Sequence, residues 1–333
     1  MVYNILGRKG LFPIKEEIIM VEDNAIKAPK SPFAMREHEI KVFDGKDGYA
    51  SIDQVVFKIN MGYINELHFQ ILEIINEFEF ITSRQIYQML TIKGIEVKSQ
   101  DKLNKKLEDM IKSKIITRYY FSSDEGKGIY RVYCLDKVAK YLLNSRGIKT
   151  SWQPTDNTKP VYMLKRRLAG NQAIIAYMQK VGAFKGFNIE PIMFAKRQNM
   201  KFNPSGGQVT LVKNDIKVDL VFEVVRRNPG WEEKFMEKIK LYEEFYDNFQ
   251  AKDCGFDKKP QLIVIGEDSE HLIEIFKATK RVNAELKGIE VYYTTDLMQL
   301  ESDMTKTLIT FRHDPESGKY KMEMQQVPLL AKE

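Results

Sequence analysis

Two sets of side chains in this sequence are of types that act on phosphate. In the second half, Lys217, Asp219 and Glu223 fall in a run of alternating residues that predicts a strand, with Glu190 upstream as a third acid. Asp219 and Glu223 lie four apart, so their side chains leave the same face of that strand. Carboxylates beside a lysine are the groups that hold a divalent cation for phosphodiester cleavage. The bland alternative is that Glu223 pairs with Arg226 or with a helix lysine. The other set is Gln100, Lys102, Asn104, Lys105, Lys106 and Lys112, on the outer face of a helix predicted over 100–113 whose inner face is Leu103, Leu107, Met110 and Ile111. Lysines meet backbone phosphates, and Asn or Gln can pair with adenine in the major groove. Arg118, Lys127 and Arg131 follow on two alternating strands and the turn between them. A solvated helix face is the competing reading, since Glu108 and Asp109 interrupt the lysines.

The elements that must carry the cationic set are legible around it. Ile64, Leu67, Ile71, Ile74 and Ile75 recur at helical spacing over 64–76. Thr82 or Ser83 caps a second helix with Ile86, Met89 and Leu90 inward, ended by Gly94, and Ser99 caps the third. Strands over 115–121 and 129–135 flank the turn Ser-Ser-Asp-Glu-Gly-Lys-Gly, and a helix over 136–144 closes the unit. Three helices and a hairpin in this order are those of a winged helix-turn-helix, with the 100–113 helix as the reader and the turn as the wing. Between Arg84 and Arg146 lie 14 of the 52 basic residues and 7 of the 46 acidic ones, which leaves the rest of the chain near neutrality at 38 against 39. All the net charge of +6 therefore sits in one module, the footprint of a phosphate-backbone binder. A helix on a turn fits the major groove of B-DNA, whereas RNA readers use aromatic platforms on a sheet, so double-stranded DNA is the expected partner.

The chain's 333 residues suffice for two compact domains with extensions. No apolar run approaches the roughly 20 residues a bilayer span needs, and residues 1–20 lack a signal-peptide pattern, so a cytoplasmic protein with no membrane partner is expected. Two cysteines, Cys134 and Cys254, and four scattered histidines give no metal-ligand spacing, so neither metal nor cofactor is expected. The predicted organisation is an extension or arm at 1–60, a winged helix at 61–147, a linker at 148–160, an α/β domain at 161–302 and a tail at 303–333. Within the arm, strands at 39–43 and 54–59 are expected to pair around Asp-Gly turns. The tail shows little periodicity. The fold class is α+β or α/β in two domains.

From 162 to 295 the predicted order is helix, three strands, helix, strand, helix, strand, which is that of a restriction-endonuclease-like core. Such cores place Pro-Asp on one strand and Glu-x-Lys on the next. Here the corresponding residues are Pro204-Ser205 and Glu223-Val224-Val225-Arg226. Together with the winged helix, the Lys/Tyr-rich helix after Arg226, the apolar 262–265 strand and the Val-Tyr-Tyr-Thr-Thr-Asp-Leu ending, the chain resembles the replication-relaxation family over about 61–300. That resemblance implies a non-enzymatic DNA-binding accessory protein of plasmid replication or conjugative relaxation and transfer. It also implies a C-terminal domain for homodimerisation or for contact with a relaxase or replication protein. The departures bear on mechanism: a neutral Ser205 replaces a metal-holding carboxylate, and Arg226 is a guanidinium where a lysine is expected. The rival readings are a metal-dependent DNA nuclease with a remodelled site at Lys217, Asp219, Glu223 and Glu190, and a transcriptional regulator or interaction scaffold. Gly206-Gly207 lacks the context of a phosphate loop. Lys165-Arg166-Arg167 could extend the DNA surface or hold an acidic partner. Trp231, Phe235 and Tyr242 at helical spacing are expected in the core.

Overall fold

The computed structural model describes residues 31–332, except 49, 252–253, 283–285, 287–289 and 317, so the first half of the expected arm lies outside the described residues. The fold is mixed α and β. Strand β1 (Ile40–Phe43) pairs antiparallel with β3 (Ile116–Ser123), not with a partner at 54–59. That second stretch is instead a helix, α1 (Ile52–Asn60). The correction has a local cause: Ser51 and Gln54 form a reciprocal capping box, and Ile52, Val55, Val56 and Ile59 match helical spacing better than alternation.

After it come α2 (Glu66–Phe78), β2 (Ile81–Thr82), α3 (Ser83–Ile92), α4 (Gln100–Lys112), β3, β4 (Gly126–Leu135) and α5 (Lys137–Ser145). Thr82 caps α3 in a box with Gln85, Ser99 caps α4, and the four strands lie in the order β1-β3-β4-β2. The segment expected as a linker is packed down. Trp152 is nearly buried, 154–158 form a 3₁₀ turn, and Asn157 Nδ2 donates to the Leu135 carbonyl at 3.0 Å.

A long helix, α6 (Val161–Lys180), leads into β5 (Phe184–Asn188), β6 (Met193–Ala195), β7 (Met200–Phe202), β8 (Gln208–Lys213), β9 (Ile216–Val224), α7 (Trp231–Asp247), β10 (Gln261–Gly266), α8 (Ser269–Arg281) and β11 (Tyr292–Thr295). The expected strand over 187–194 is broken into β5 and β6 around Pro191, which has no N–H for a ladder. The tail shows little periodicity in sequence, yet β12 (Leu308–Asp314) and β13 (Lys319–Gln325) form a hairpin on the edge of the sheet. Strand order is β13-β12-β11-β10-β9-β8-β5, with β9, β10 and β11 parallel and the rest antiparallel. The β8–β9 turn runs through Asn214 and Asp215 at φ 49° and 61°, as a tight hairpin requires.

Alternation along β9 divides the interior. Leu220, Phe222 and Val224 face α6 and join a buried cluster that continues into α2–α5, while Val221 and Val225 face the cluster of α7 and α8. Buried Phe235 and Tyr242 belong to the latter, with Trp231 partly buried against it. Helix α6 meets the 204–207 turn backbone to backbone: a Cβ on Gly170 would stand 2.6 Å from the Gly206 Cα.

Residues 31–39 cross the carboxyl ends of the parallel strands. Ser31 Oγ donates to Asp296, which also holds Arg226 Nη2 at 2.7 Å, and Met35 N donates to Glu267 Oε1 at 3.2 Å. Lys165, fully buried, pairs with Glu39 at 2.5 Å. His271 Nδ1 accepts from Glu267 N at 3.1 Å, and burial, with Arg227 and Arg226 behind it, lowers the imidazole pKa to about 3.

An exposed helical Gly→Ala change gains about 1 kcal/mol. Gly170→Ala is expected to lose about 1–3 kcal/mol instead, because its methyl meets backbone. Urea unfolding measures the sign. His271 is neutral in the fold, so stability present above the ordinary pKa of 6.5 is lost as pH falls towards about 3. By pH about 4.5 that loss is about 2–3 kcal/mol. Melting temperature against pH should flatten over that window in His271→Gln, and parallel curves would refute the assignment.

Candidate nucleic-acid interface

Leu103, Leu107, Met110 and Ile111 are all buried, which turns the opposite side of α4 to solvent. Helical periodicity then sorts the expected contacts onto three strips. Lys105 and Lys112 sit on the crest, with Asp101 and Asp109 alongside. Lys102 and Lys106 lie on the flank towards α2. There Lys106, second only to burial, helps to lower the His68 pKa to about 4. Gln100, Asn104 and Glu108 lie on the other flank and line a cleft of about 970 Å³. None of the four lysines forms an ion pair with a described residue.

The cleft also takes in Arg118 and Arg131 from the β3–β4 hairpin, and Arg84 and Tyr87 from α3. Gln100 Nε2 donates to Ser83 O at 3.2 Å and to Asn104 Oδ1 at 3.1 Å, so this flank is held to the start of α3. Both arginines are paired. Arg118 meets Asp44 Oδ2 at 3.1 Å and Glu108 Oε2 at 2.5 Å, and Arg131 meets Asp44 Oδ2 at 3.0 Å. Lys127, near the hairpin turn, stands 3.9 Å above the Tyr120 ring centroid. The structure thus gathers Gln100, Asn104, Arg118 and Arg131 around one cleft and leaves the lysines on the outer surface. Arg84, exposed in the first turn of α3, was missed by sequence reasoning although its place after the Thr82 cap was visible. Asp44 was missed too, because it lies 74 residues from Arg118.

The second set does not converge. Four residues along β9 separate Asp219 from Glu223 by about 13 Å, too far for one cation. Glu223 Oε1 accepts from Ser205 Oγ at 2.8 Å, and Oε2 accepts from Tyr242 OH at 2.7 Å and Ser205 N at 3.3 Å. Among the described residues Glu223 pairs with neither Arg226 nor a lysine, Arg226 being committed to Asp296. Asp219 Oδ1 accepts from Thr210 Oγ1 at 2.5 Å and Gln208 Nε2 at 3.0 Å. Lys217 is closer to Asp257, at 2.6 Å, than to Asp219, at 3.7 Å. Glu190 stands apart, 3.6 Å from Arg167, its pKa raised by burial and then by Glu79. Among the described residues no three His, Cys, Asp or Glu side chains are grouped to hold a metal. Lys165-Arg166-Arg167 supplies no continuous outer surface: Lys165 is buried on Glu39, Arg167 pairs with Glu79 at 3.0 Å, and Arg166 stacks over Tyr162.

Tyr242 is buried and its hydroxyl is pushed well above the usual phenol range by burial and then by Glu223. Tyr242→Phe leaves Glu223 one donor short, with an expected loss of about 1–3 kcal/mol in denaturant unfolding. An unchanged midpoint would mean that water or another group replaces the hydroxyl.

No helix among the described residues is long and apolar enough to cross a membrane. The chain matches no protein-family model and no curated protein.

Proposed function

We propose that this is a non-enzymatic double-stranded-DNA-binding protein that docks through a winged helix at 61–147, with α4 as its reading helix and the β3–β4 turn as its wing. The observation that carries the reading is the joint presentation of α4 and the hairpin. Helix, strand, helix, helix and hairpin follow in order, β2 closes the sheet beside β4, and Lys102, Lys105, Lys106 and Lys112 face solvent or its margin without ion pairs among the described residues. Lysines so placed contact phosphates, and Gln100 and Asn104 on the cleft flank are the groups suited to base edges. Phosphate contacts with released counterions supply most of the affinity, so binding weakens steeply with salt.

The remainder, 161–302, is read as a restriction-endonuclease-like core that supplies homodimerisation or partner contacts. Support comes from the order of α6, β5, β8, β9, α7, β10, α8 and β11, and from Ser205 standing against Glu223 where such cores carry an acid. By resemblance to the replication-relaxation family, the setting is cytoplasmic plasmid replication or conjugative transfer, with a relaxase or replication protein as partner. Carboxylates occupied by separate hydrogen-bond donors disfavour the nuclease reading.

Lys105→Glu with Lys106→Glu reverses two charges on the lysine-bearing surface of α4. Retention on a duplex at about 0.1 M salt is expected to fall by at least about tenfold, with a shallower salt dependence. Unchanged retention, measured by fluorescence anisotropy, overturns the docking surface.

A further inference from the structure

We propose that Arg118 and Arg131 form a preassembled site for one backbone phosphate of a duplex, and that the Asp44 carboxylate fills it in the free protein; the inference rests on the duplex-binding reading above. Arg131 Nε donates to Asp44 Oδ2 at 3.0 Å, and the Arg118 guanidinium pairs with the same oxygen at 3.1 Å while giving its Nε hydrogen to the Asp44 carbonyl at 2.8 Å. Two guanidinium cations placed against one anionic oxygen suit a phosphate as they suit this carboxylate. Both arginines line the cleft beside Gln100 and Asn104, so a strand followed by that flank of α4 reaches them.

The arginines and the acid are carried by different elements. Arg118 and Arg131 stand on β3 and β4, diagonal across the ladder in which Arg118 faces Tyr133 and Tyr120 faces Arg131. Asp44 follows β1, its backbone bonded to Arg118 and its carboxylate turned into the fork. Withdrawal of that carboxylate leaves Arg118 held by Glu108 at 2.5 Å and by the Asp44 carbonyl at 2.8 Å, so this half of the fork keeps its place. The charges also match. Arginine does not shed its proton, so two cations and Glu108 leave one positive charge, which a monoanionic phosphodiester neutralises as Asp44 does. Asp44 is partly exposed, with a quarter of its side chain in reach of solvent, and can be rehydrated as it leaves. While in place it repels an incoming phosphate, and so weakens binding without altering the surface on α4.

The test is a salt titration of anisotropy for the full chain on a mixed-sequence duplex, with wild type, Asp44→Asn, Arg131→Gln and the double variant, each checked for folding by its melting curve. Removing one like charge next to a bound phosphate is expected to tighten binding about three- to tenfold. The slope of log K against log salt should steepen by about 1. Arg131→Gln should weaken binding and cancel the gain in the double variant. Binding by Asp44→Asn that is equal or weaker, or a gain that survives Arg131→Gln, overturns the proposal. If Asp44→Asn gains affinity for millimolar inorganic phosphate at matched ionic strength but none for the duplex, the fork takes the free ion and the backbone site is refuted. A gain that Arg131→Gln cancels while Lys105→Glu with Lys106→Glu has no effect leaves the fork standing and removes the α4 docking surface. If no variant binds duplex, both readings fall.

Discussion

Helix α6 is buried along most of its length, where an unpartnered polar group is costly, and the partners that Lys165 and Asn171 find tie the rest of the protein together. Asn171 Nδ2 donates to the carbonyls of Phe78 and Phe80 at 3.0 and 2.8 Å, where α2 turns into β2. Gln85 Nε2, from the first turn of α3, reaches the Leu168 carbonyl at 2.8 Å. Lys165 closes on Glu39, and Gly170 lets the 204–207 turn touch the helix backbone. None of these contacts tolerates a rotation of α6 about its axis. The helices and hairpin before residue 147 are therefore held against the large sheet by directional bonds as well as by apolar packing.

Charge concentrated along the sequence is only partly charge presented in space. Acids from outside the Arg84–Arg146 stretch neutralise several of its cations: Asp44 takes Arg118 and Arg131, Glu77 takes Lys93, and Glu66 takes Arg146. Among the cations left outward are the lysine face of α4, Arg84, Lys98 and Lys127. Surface ion pairs of this kind contribute little to stability. Their larger consequence is for the field that an approaching polyanion meets, which is narrower and more local than the sequence count suggests.

Strand β9 shows how a carboxylate becomes structural. Glu223 receives the Ser205 hydroxyl, the Ser205 N–H and the Tyr242 hydroxyl, while Ser205 Oγ in turn accepts from Val224 N at 2.8 Å. Both carboxylate oxygens are engaged by neighbouring donors, and Tyr242 comes from a helix that packs the sheet. The carboxyl ends of β9, β10 and β11, where open α/β sheets commonly take ligands, are covered by residues 31–39 through Asp296, Glu267 and Lys165.

The sequence by itself determined the local elements. Caps at Thr82 and Ser99, the apolar spacing of α2, α3 and α4, the Asn214-Asp215 turn and the run at 261–266 are signals read within a few residues, and each element formed within a few residues of its expected bounds. Even α1 was legible through the Ser51–Gln54 box, though apolar content pointed to a strand. Only the tertiary structure decided which charges meet. Asp219 and Glu223 share a face but answer to different donors, Arg118 and Arg131 find an acid far away in the chain, and β12–β13 gains its place from β11. Helix and strand patterns are set by short-range sterics and hydrogen bonds. The choice of an ion-pair partner depends on which groups folding brings within about 4 Å, and no local spacing encodes that.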